Sequence, residues 1–191
     1  PHFFTDILVI GGGLAGLRTA LAVDPNLTAL VITKDGIGHS NSMQAQGGIA
    51  SVLGEGDTFE EHVADTLEAG GALCDREVVE RIVREGPERV RELIRWGTRF
   101  DRSGDHLALG REGGHGRDRV AHALGDETGK EVMRAVIERA EAAKNVYVWQ
   151  NTFTIDLLTH DGVCRGAIVW NHRHGKTLIW AKQTVLCTGG I

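Results

Sequence analysis

The sequence predicts an α/β fold in which a parallel sheet is joined to an antiparallel β-meander, and three observations carry that prediction. The first is an apolar run of strand length, Asp6-Ile7-Leu8-Val9-Ile10, which breaks into glycines and resumes as a helical pattern with Leu14, Leu17 and Leu21 on one face. The second is another apolar run over 28–33, which closes a strand, helix, strand unit of the size that implies parallel pairing. The third lies near the C-terminus. Short apolar or alternating runs over 146–148, 153–158, 166–170 and 178–181 are separated by the turns Thr159-His160-Asp161-Gly162 and His172-Arg173-His174-Gly175.

Between the first strand and the first helix stands Gly11-Gly12-Gly13-Leu14-Ala15-Gly16, a G-x-G-x-x-G spacing in which each glycine has a mechanical task. Gly11 makes the turn, Gly13 lets a pyrophosphate approach the backbone, and Gly16 lets the helix pack on the strand. The helix then aims its free N–H groups and the positive end of its dipole at the phosphates. The strand before and the helix after raise this motif above a glycine-rich turn and point to dinucleotide binding.

The composition narrows the function classes. At 191 residues, 41% hydrophobic and 25% charged, the chain is long enough for one sizeable domain or a domain with part of a second. A net charge of −5 shows no surface suited to nucleic acid, and no basic run suggests a membrane patch. No apolar run approaches the roughly 20 residues that span a bilayer, and no leader sequence is evident, so a cytoplasmic protein is expected. Cys74, Cys164 and Cys187 are odd in number and widely spaced, so buried free thiols are expected rather than disulfides or zinc.

Taken in order, the second strand ends at Lys34-Asp35, where nicotinamide-binding proteins commonly carry a ribose-binding acid. Asp35 fits that role, Lys34 argues for a different nucleotide environment, and a solvated Lys-Asp turn fits equally. The stretch Gly38 to Ala50 is rich in small and amide side chains and suits the polar rim of a cofactor ring, or a polar surface loop. Residues 57–69 read as a helix with Asp57 as N-cap, Glu60 three residues on, and Phe59, Val63 and Leu67 at spacing four. His62 and Asp65 fall on its other faces and read as surface residues. Over 75–96, Gly86-Pro87 divides the helical pattern into two helices with a corner, the second stopped by Gly97.

From 100 to 126 periodicity fails. Leu109-Gly110-Arg111-Glu112-Gly113-Gly114-His115-Gly116-Arg117-Asp118-Arg119 packs charge between glycines, as functional loops do. His106, His115 and His122 lack ligand spacing, so no metal site is expected. Thr128-Gly129-Lys130-Glu131 reads as the capping box of a helix running to about Asn145. After the meander, Thr184-Val185-Leu186-Cys187-Thr188-Gly189-Gly190 reads as a buried strand entering a glycine turn, which suggests the N-terminal portion of a longer protein.

Five stretches together carry a resemblance over essentially the whole chain: the glycine turn, Asn41-Ser42-Met43-Gln44-Ala45-Gln46-Gly47-Gly48-Ile49-Ala50, His62-Val63-Ala64-Asp65-Thr66-Leu67, Arg111-Glu112-Gly113-Gly114-His115, and Cys187-Thr188-Gly189-Gly190. They resemble the flavoprotein family of succinate dehydrogenase, fumarate reductase and L-aspartate oxidase. The resemblance implies an FAD-binding Rossmann-like domain of the glutathione-reductase type spanning 1–191, with the capping and C-terminal helical domains outside this chain. It implies FAD contacts at Gly11, Gly12, Gly13, Leu14, Ala15, Gly16, Lys34, Asn41, Ser42, Met43, Gln44, Ala45, Gln46, Gly47 and Gly48.

Two positions separate the family's branches. A histidine that bonds covalently to flavin in the succinate and fumarate enzymes matches Asn41 here, while His39 would need a shifted register, so non-covalent FAD is expected. Glu112 sits where the succinate-type enzymes carry an apolar residue, and its Arg-Glu-Gly-Gly-His setting is that of the L-aspartate oxidase branch. Aspartate differs from succinate by an ammonium group, to which a carboxylate gives a charge-assisted hydrogen bond. With succinate bound, that carboxylate is left unpaired at a cost of about 1–3 kcal/mol. Spacing alone favours an ion pair from Glu112 to Arg111, Arg117 or Arg119, and the resemblance reverses the preference.

The resemblance therefore implies oxidation of L-aspartate to iminoaspartate, the entry into quinolinate and NAD biosynthesis, with oxygen or fumarate as acceptor and quinolinate synthase as a candidate partner. Glu112 orients substrate, the acid and base residues lie beyond Ile191, and the chain alone is expected to be inactive. The rival readings are a succinate dehydrogenase or fumarate reductase flavoprotein, a nicotinamide dehydrogenase using Asp35, and a non-catalytic dinucleotide-binding module.

Overall fold

A computed structural model describes residues 1–190 and divides the chain into two units, Pro1–Gln44 with Met133–Ile191 and Ala45–Val132. In the first unit β1 (His2–Ile10) leads through the glycine turn to α1 (Leu14–Leu21) and then to β2 (Ala29–Ile32). In the second come β3 (Ile49–Ala50), α2 (Phe59–Gly70), α3 (Arg76–Arg95) and the two-residue strands β4 (Arg102–Ser103), β5 (His106–Leu107), β6 (Leu109–Gly110) and β7 (Val120–Ala121). Helix α4 (Thr128–Ala142) returns the chain to the first unit, followed by β8 (Val146–Trp149), β9 (Thr152–His160), β10 (Val163–Asn171) and β11 (Gly175–Leu186).

The expected α/β class with parallel and antiparallel pairing is what the structure shows, but the two kinds of pairing share one sheet. Its order is β8-β2-β1-β11-β10-β9. Strand β1 pairs in parallel with β2, from Ile7 opposite Ala29 to Ile10 opposite Ile32, and with β11, from His2 opposite Leu178 to Ile10 opposite Leu186. The run over 146–148 is not part of the meander: β8 follows a helix and adds in parallel to β2. The segments over 178–181 and 184–186 are one strand, because β11 closes the β10 hairpin over 175–180 and runs beside β1 from Leu178 to Leu186. Nor is that end buried as expected, since Leu186 is 59% exposed.

Leu8, Val9, Leu30 and Val31 are wholly inaccessible, as strands covered on both faces require. Leu8, Ile10, Leu30, Ile32, Ala167, Val169 and Ile179 form one cluster, with Phe3, Trp149 and Leu157 at its margin. Each of its larger aliphatic side chains contributes about 1.5–3 kcal/mol by leaving water.

In the second unit three expectations need correction. Residues 75–96 are not two helices: α3 runs unbroken through Pro87. Val83, Pro87 and Val90 fall on one helical stripe and are all buried, so the proline is itself a core residue. Burying that stripe outweighs the roughly 3 kcal/mol cost of an interior proline. The cap of α2 is Thr58, not Asp57, and the capping box is Thr58 with Glu61, whose N–H donates to Thr58 Oγ1 at 3.2 Å. The side chains of Thr128 and Glu131, expected as a capping box, both reach distant backbone. Thr128 Oγ1 accepts from Ala123 N–H and donates to the Gly47 carbonyl, and the Glu131 carboxylate accepts from Arg99 N–H at 2.8 Å. Gly97, at φ 99°, follows α3 where the sequence places its stop.

Candidate functional site

The carboxyl ends of β1, β2 and β11 open onto a cleft of ≈ 700 Å³ in the first unit. Ligands of parallel sheets sit at this end of the strands. Gly11, Gly12, Gly13, Leu14, Ala15, Lys34, Asn41, Ser42 and Gln44 line it, so nine of the expected cofactor residues meet in one place. Gly11 has φ 119°, and a Cβ there would strike the Cys187 carbonyl; a Cβ on Gly16 would strike the Gly11 carbonyl. Gly16 thus brings helix against strand beneath the cleft, without lining it. Met43 also lies outside the lining. Ala45, Gln46, Gly47 and Gly48 belong to the second unit.

Helix α1 begins at Gly13 with no side-chain cap and no acidic residue in its first turn, which leaves its positive end available to an anion. Leu14 N–H donates to Ser42 Oγ at 3.1 Å, tying the following loop to the helix start. The cleft therefore joins an uncapped helix end, close-approach glycines and an exposed Lys34, and these fit the pyrophosphate of a dinucleotide. Asp35 lines the same cleft. Its carboxyl is held below the usual carboxylate range by the Gly36 N–H, then by His39, whose Nδ1 lies 3.2 Å away. Cys187, Thr188, Gly189 and Gly190, and Thr152, Phe153 and Thr154, also line the cleft. The first group was visible in the sequence as a glycine turn. Nothing local marks the second, which comes from the first residues of β9.

A larger cleft of ≈ 910 Å³ lies at the amino end of β1, lined by Phe4, Asp6, Trp180 and Lys182 among others. Lys182 Nζ donates to Asp6 Oδ1 at 2.6 Å, and this bond with those from Thr28 lowers the Asp6 carboxyl to about 2. Its acid and lysine satisfy each other, and it stands at the wrong end of the parallel strands to receive a nucleotide.

The charged loop lies in the second unit. None of its three arginines pairs with Glu112. Arg111 Nε donates to Asp118 at 2.8 Å, Arg117 Nη2 donates to Glu61 at 2.6 Å, and Arg119 reaches two aspartates. Glu112 Oε1 instead lies 2.8 Å from His122 Nε2, and its Oε2 has no protein donor among the described residues. Arg119 is wholly buried; it grips both oxygens of Asp57 through Nε and Nη2 and reaches Asp65 Oδ2 through Nη1 at 2.7 Å.

That network corrects the reading of His62 and Asp65 as surface residues. Asp65 also accepts from Gly116 N–H at 2.7 Å, and this bond, followed by the charge of Arg119, holds its carboxyl below the usual range. His62 is 6% exposed, and burial, then Arg119, pushes its imidazole below its ordinary pKa. Its ring meets that of His115 edge-on, with centroids 5.8 Å apart. Sequence reasoning missed the Asp57–Arg119–Asp65 set because its members stand 54 and 62 residues apart, beyond any local spacing rule. The three cysteines are free, as expected, but partly exposed rather than buried. Among the described residues no helix is long and apolar enough to cross a membrane, and no group of three or more His, Cys, Asp or Glu could hold a metal ion.

Comparison with known proteins bears on this geometry. The profile of the FAD binding domain family matches residues 6–191. The chain is 45% identical to the L-aspartate oxidase of Streptomyces coelicolor, over 97% of this chain and 33% of that protein. It is also 45% identical to the chloroplastic L-aspartate oxidase of Arabidopsis thaliana, over 98% and 30%. Among solved structures, an E. coli quinol fumarate reductase variant superposes with a TM-score of 0.94 at 30% identity, over 99% of this chain and 33% of the other. The Sdh1 complex of Mycobacterium smegmatis gives 0.89 at 32% identity, over 100% and 35%. The chain spans about a third of the length of these relatives.

Proposed function

The chain belongs to the FAD binding domain family, and from that premise we propose that it is the cofactor-holding portion of an L-aspartate oxidase, which converts L-aspartate to iminoaspartate with oxygen or fumarate as acceptor. When bound there, FAD would supply the acceptor for the two electrons taken from the substrate's carbon–nitrogen unit. The residues of this chain bind and orient. Gly12, Gly13, Leu14 and Ala15 would hold the pyrophosphate at the start of α1, Lys34 would lie at the nucleotide, and Asn41, Ser42 and Gln44 would line the cofactor, held without a covalent bond because Asn41 offers no nucleophile.

Glu112 carries the choice of substrate. Its carboxylate is engaged by a histidine through one oxygen, while Arg111, Arg117 and Arg119 are all paired elsewhere. The second oxygen can therefore accept from the ammonium of aspartate. That charge-assisted bond is worth about 1.5–3 kcal/mol, and succinate cannot form it. The high identity to two L-aspartate oxidases, against about 30% to the structural neighbours, supports the same branch. Quinolinate synthase, which would take the unstable imine, is the partner this reading proposes.

The complete enzyme tests the proposal. Purified protein should bleach its flavin spectrum with L-aspartate and not with succinate, and acid precipitation should leave the flavin in the supernatant. Reduction by succinate, or flavin retained on the pellet, would assign the chain to the succinate and fumarate branch instead.

A further inference from the structure

We propose that His122 is the positioning residue of the substrate carboxylate: it fixes Glu112 in the rotamer that meets the substrate's ammonium. The inference rests on the reading of Glu112 given above and goes beyond it.

The three-stranded sheet of the second unit, ordered β3-β7-β6, places His122 just past the end of its central strand. Ile49 opposite Ala121 continues the β3–β7 register to Gly48 beside His122. The backbone on both sides comes unusually close to the imidazole. A Cβ on Gly48 would lie 3.0 Å from His122 Cδ2, and one on Gly110 would lie 3.0 Å from its Cε1. No side chain can enter either place without displacing the ring. The main chain is fixed as well, since the His122 carbonyl accepts from Asp101 N–H at 2.8 Å.

From this slot Nε2 points at Glu112 Oε1, 2.8 Å away. A carboxylate can only accept, so Nε2 carries the proton of this hydrogen bond. Glu112 is bounded on the other side by Gly47, where a Cβ would lie 3.3 Å from Oε1. Gly47 sits at φ 67°, which a side chain would strain. The adjacent glycines at 47 and 48 therefore have separate tasks: Gly47 leaves room for the glutamate, and Gly48 lets β3 lie close against the Ala121 carbonyl, Val120 and the His122 ring. A glutamate with 47% of its side chain exposed has several rotamers open to it in water, and the histidine selects one before substrate arrives.

The test is a set of KM and kcat measurements with L-aspartate on the complete enzyme, with bound flavin checked in each variant. E112Q should raise KM about tenfold or more. H122L, which removes the donor, should raise KM severalfold with a smaller change in kcat. H122Q, which returns an N–H near the same place, should stay close to wild type. The double variant E112Q/H122L should match E112Q alone, because the histidine acts only through the glutamate. If E112Q is impaired while H122L keeps a wild-type KM, or if H122Q is as impaired as H122L, the positioning role is overturned and the reading of Glu112 survives. If E112Q leaves KM unchanged, the reading of Glu112 fails and the role of His122 fails with it.

Discussion

The first unit buries apolar sheet and opens a cleft floored by glycine backbone, whereas the second buries charge and presents a carboxylate held by a neighbouring side chain. Around the glycine turn the structure relies on what glycine lacks: Gly11 and Gly16 let main chain touch main chain, and α1 offers uncapped N–H groups. Such a cradle recognises a pyrophosphate, a feature common to many cofactors, and it carries little information about substrate. In the second unit, Arg119 and Asp57 are almost wholly withdrawn from water, and the nearby Glu112 and His122 offer one directed carboxylate. The desolvated pair fixes the loop that carries Glu112. On the proposed reading, cofactor binding is written in backbone and substrate choice in a few charges.

The comparison can be broken first at Arg119. R119M should destabilise the second unit by about 3–5 kcal/mol, because it leaves the Asp57 carboxylate buried and uncompensated. The shift of the urea midpoint of the complete protein measures it, and a change below about 1 kcal/mol would show that the pair is not desolvated. Next in size is G16A, whose Cβ would meet the Gly11 carbonyl. Overpacking there should cost about 1–3 kcal/mol and release flavin, read from the absorbance ratio of the purified variant. Full flavin content with unchanged stability would refute the close packing.

Acid should distinguish the units further. His62 has a depressed pKa in the folded state, so the unfolded chain binds the proton more readily; the stability this contributes is present above about pH 6.5 and is lost as pH falls below it. Asp65 adds a second loss with the same sign, beginning near its unfolded value of about 4 and continuing to lower pH. Hydrogen exchange measured between pH 7 and 4 should show amides of α2 losing protection before those of β1. The reverse order would contradict the assignment. The smallest effect belongs to R111A: its pair with Asp118 is more than half exposed on both sides, so stability should change by less than about 1 kcal/mol.

Much of the first unit was legible because its signals are local. An apolar strand, a glycine turn and an amphipathic helix follow one another within 21 residues and leave one topology open. Strand β11 was less legible, since exposed Lys182 and Gln183 interrupt its apolar pattern and make one strand look like two. Pro87 misled for a related reason: an interior proline normally ends a helix, and only the burial of its own ring explains why α3 continues. Glu112 could be singled out through the resemblance carried by its Arg-Glu-Gly-Gly-His run, but its partner could not. The sequence offers three arginines, and His122 takes their place because Arg111 is drawn to Asp118 nearby while Arg117 and Arg119 are drawn to Glu61, Asp57 and Asp65, brought in from far along the chain.

The central claim, that one carboxylate reads the substrate's ammonium, is tested most directly by the ratio of the dissociation constants of succinate and L-aspartate. The concentration dependence of the rate of anaerobic flavin reduction gives the constant for L-aspartate, and perturbation of the oxidised flavin spectrum gives that for succinate, in the complete enzyme and in its E112Q variant. The wild type should prefer aspartate, and E112Q should shrink that preference about tenfold or more, chiefly by weakening aspartate. A ratio that is the same in both proteins would contradict the account.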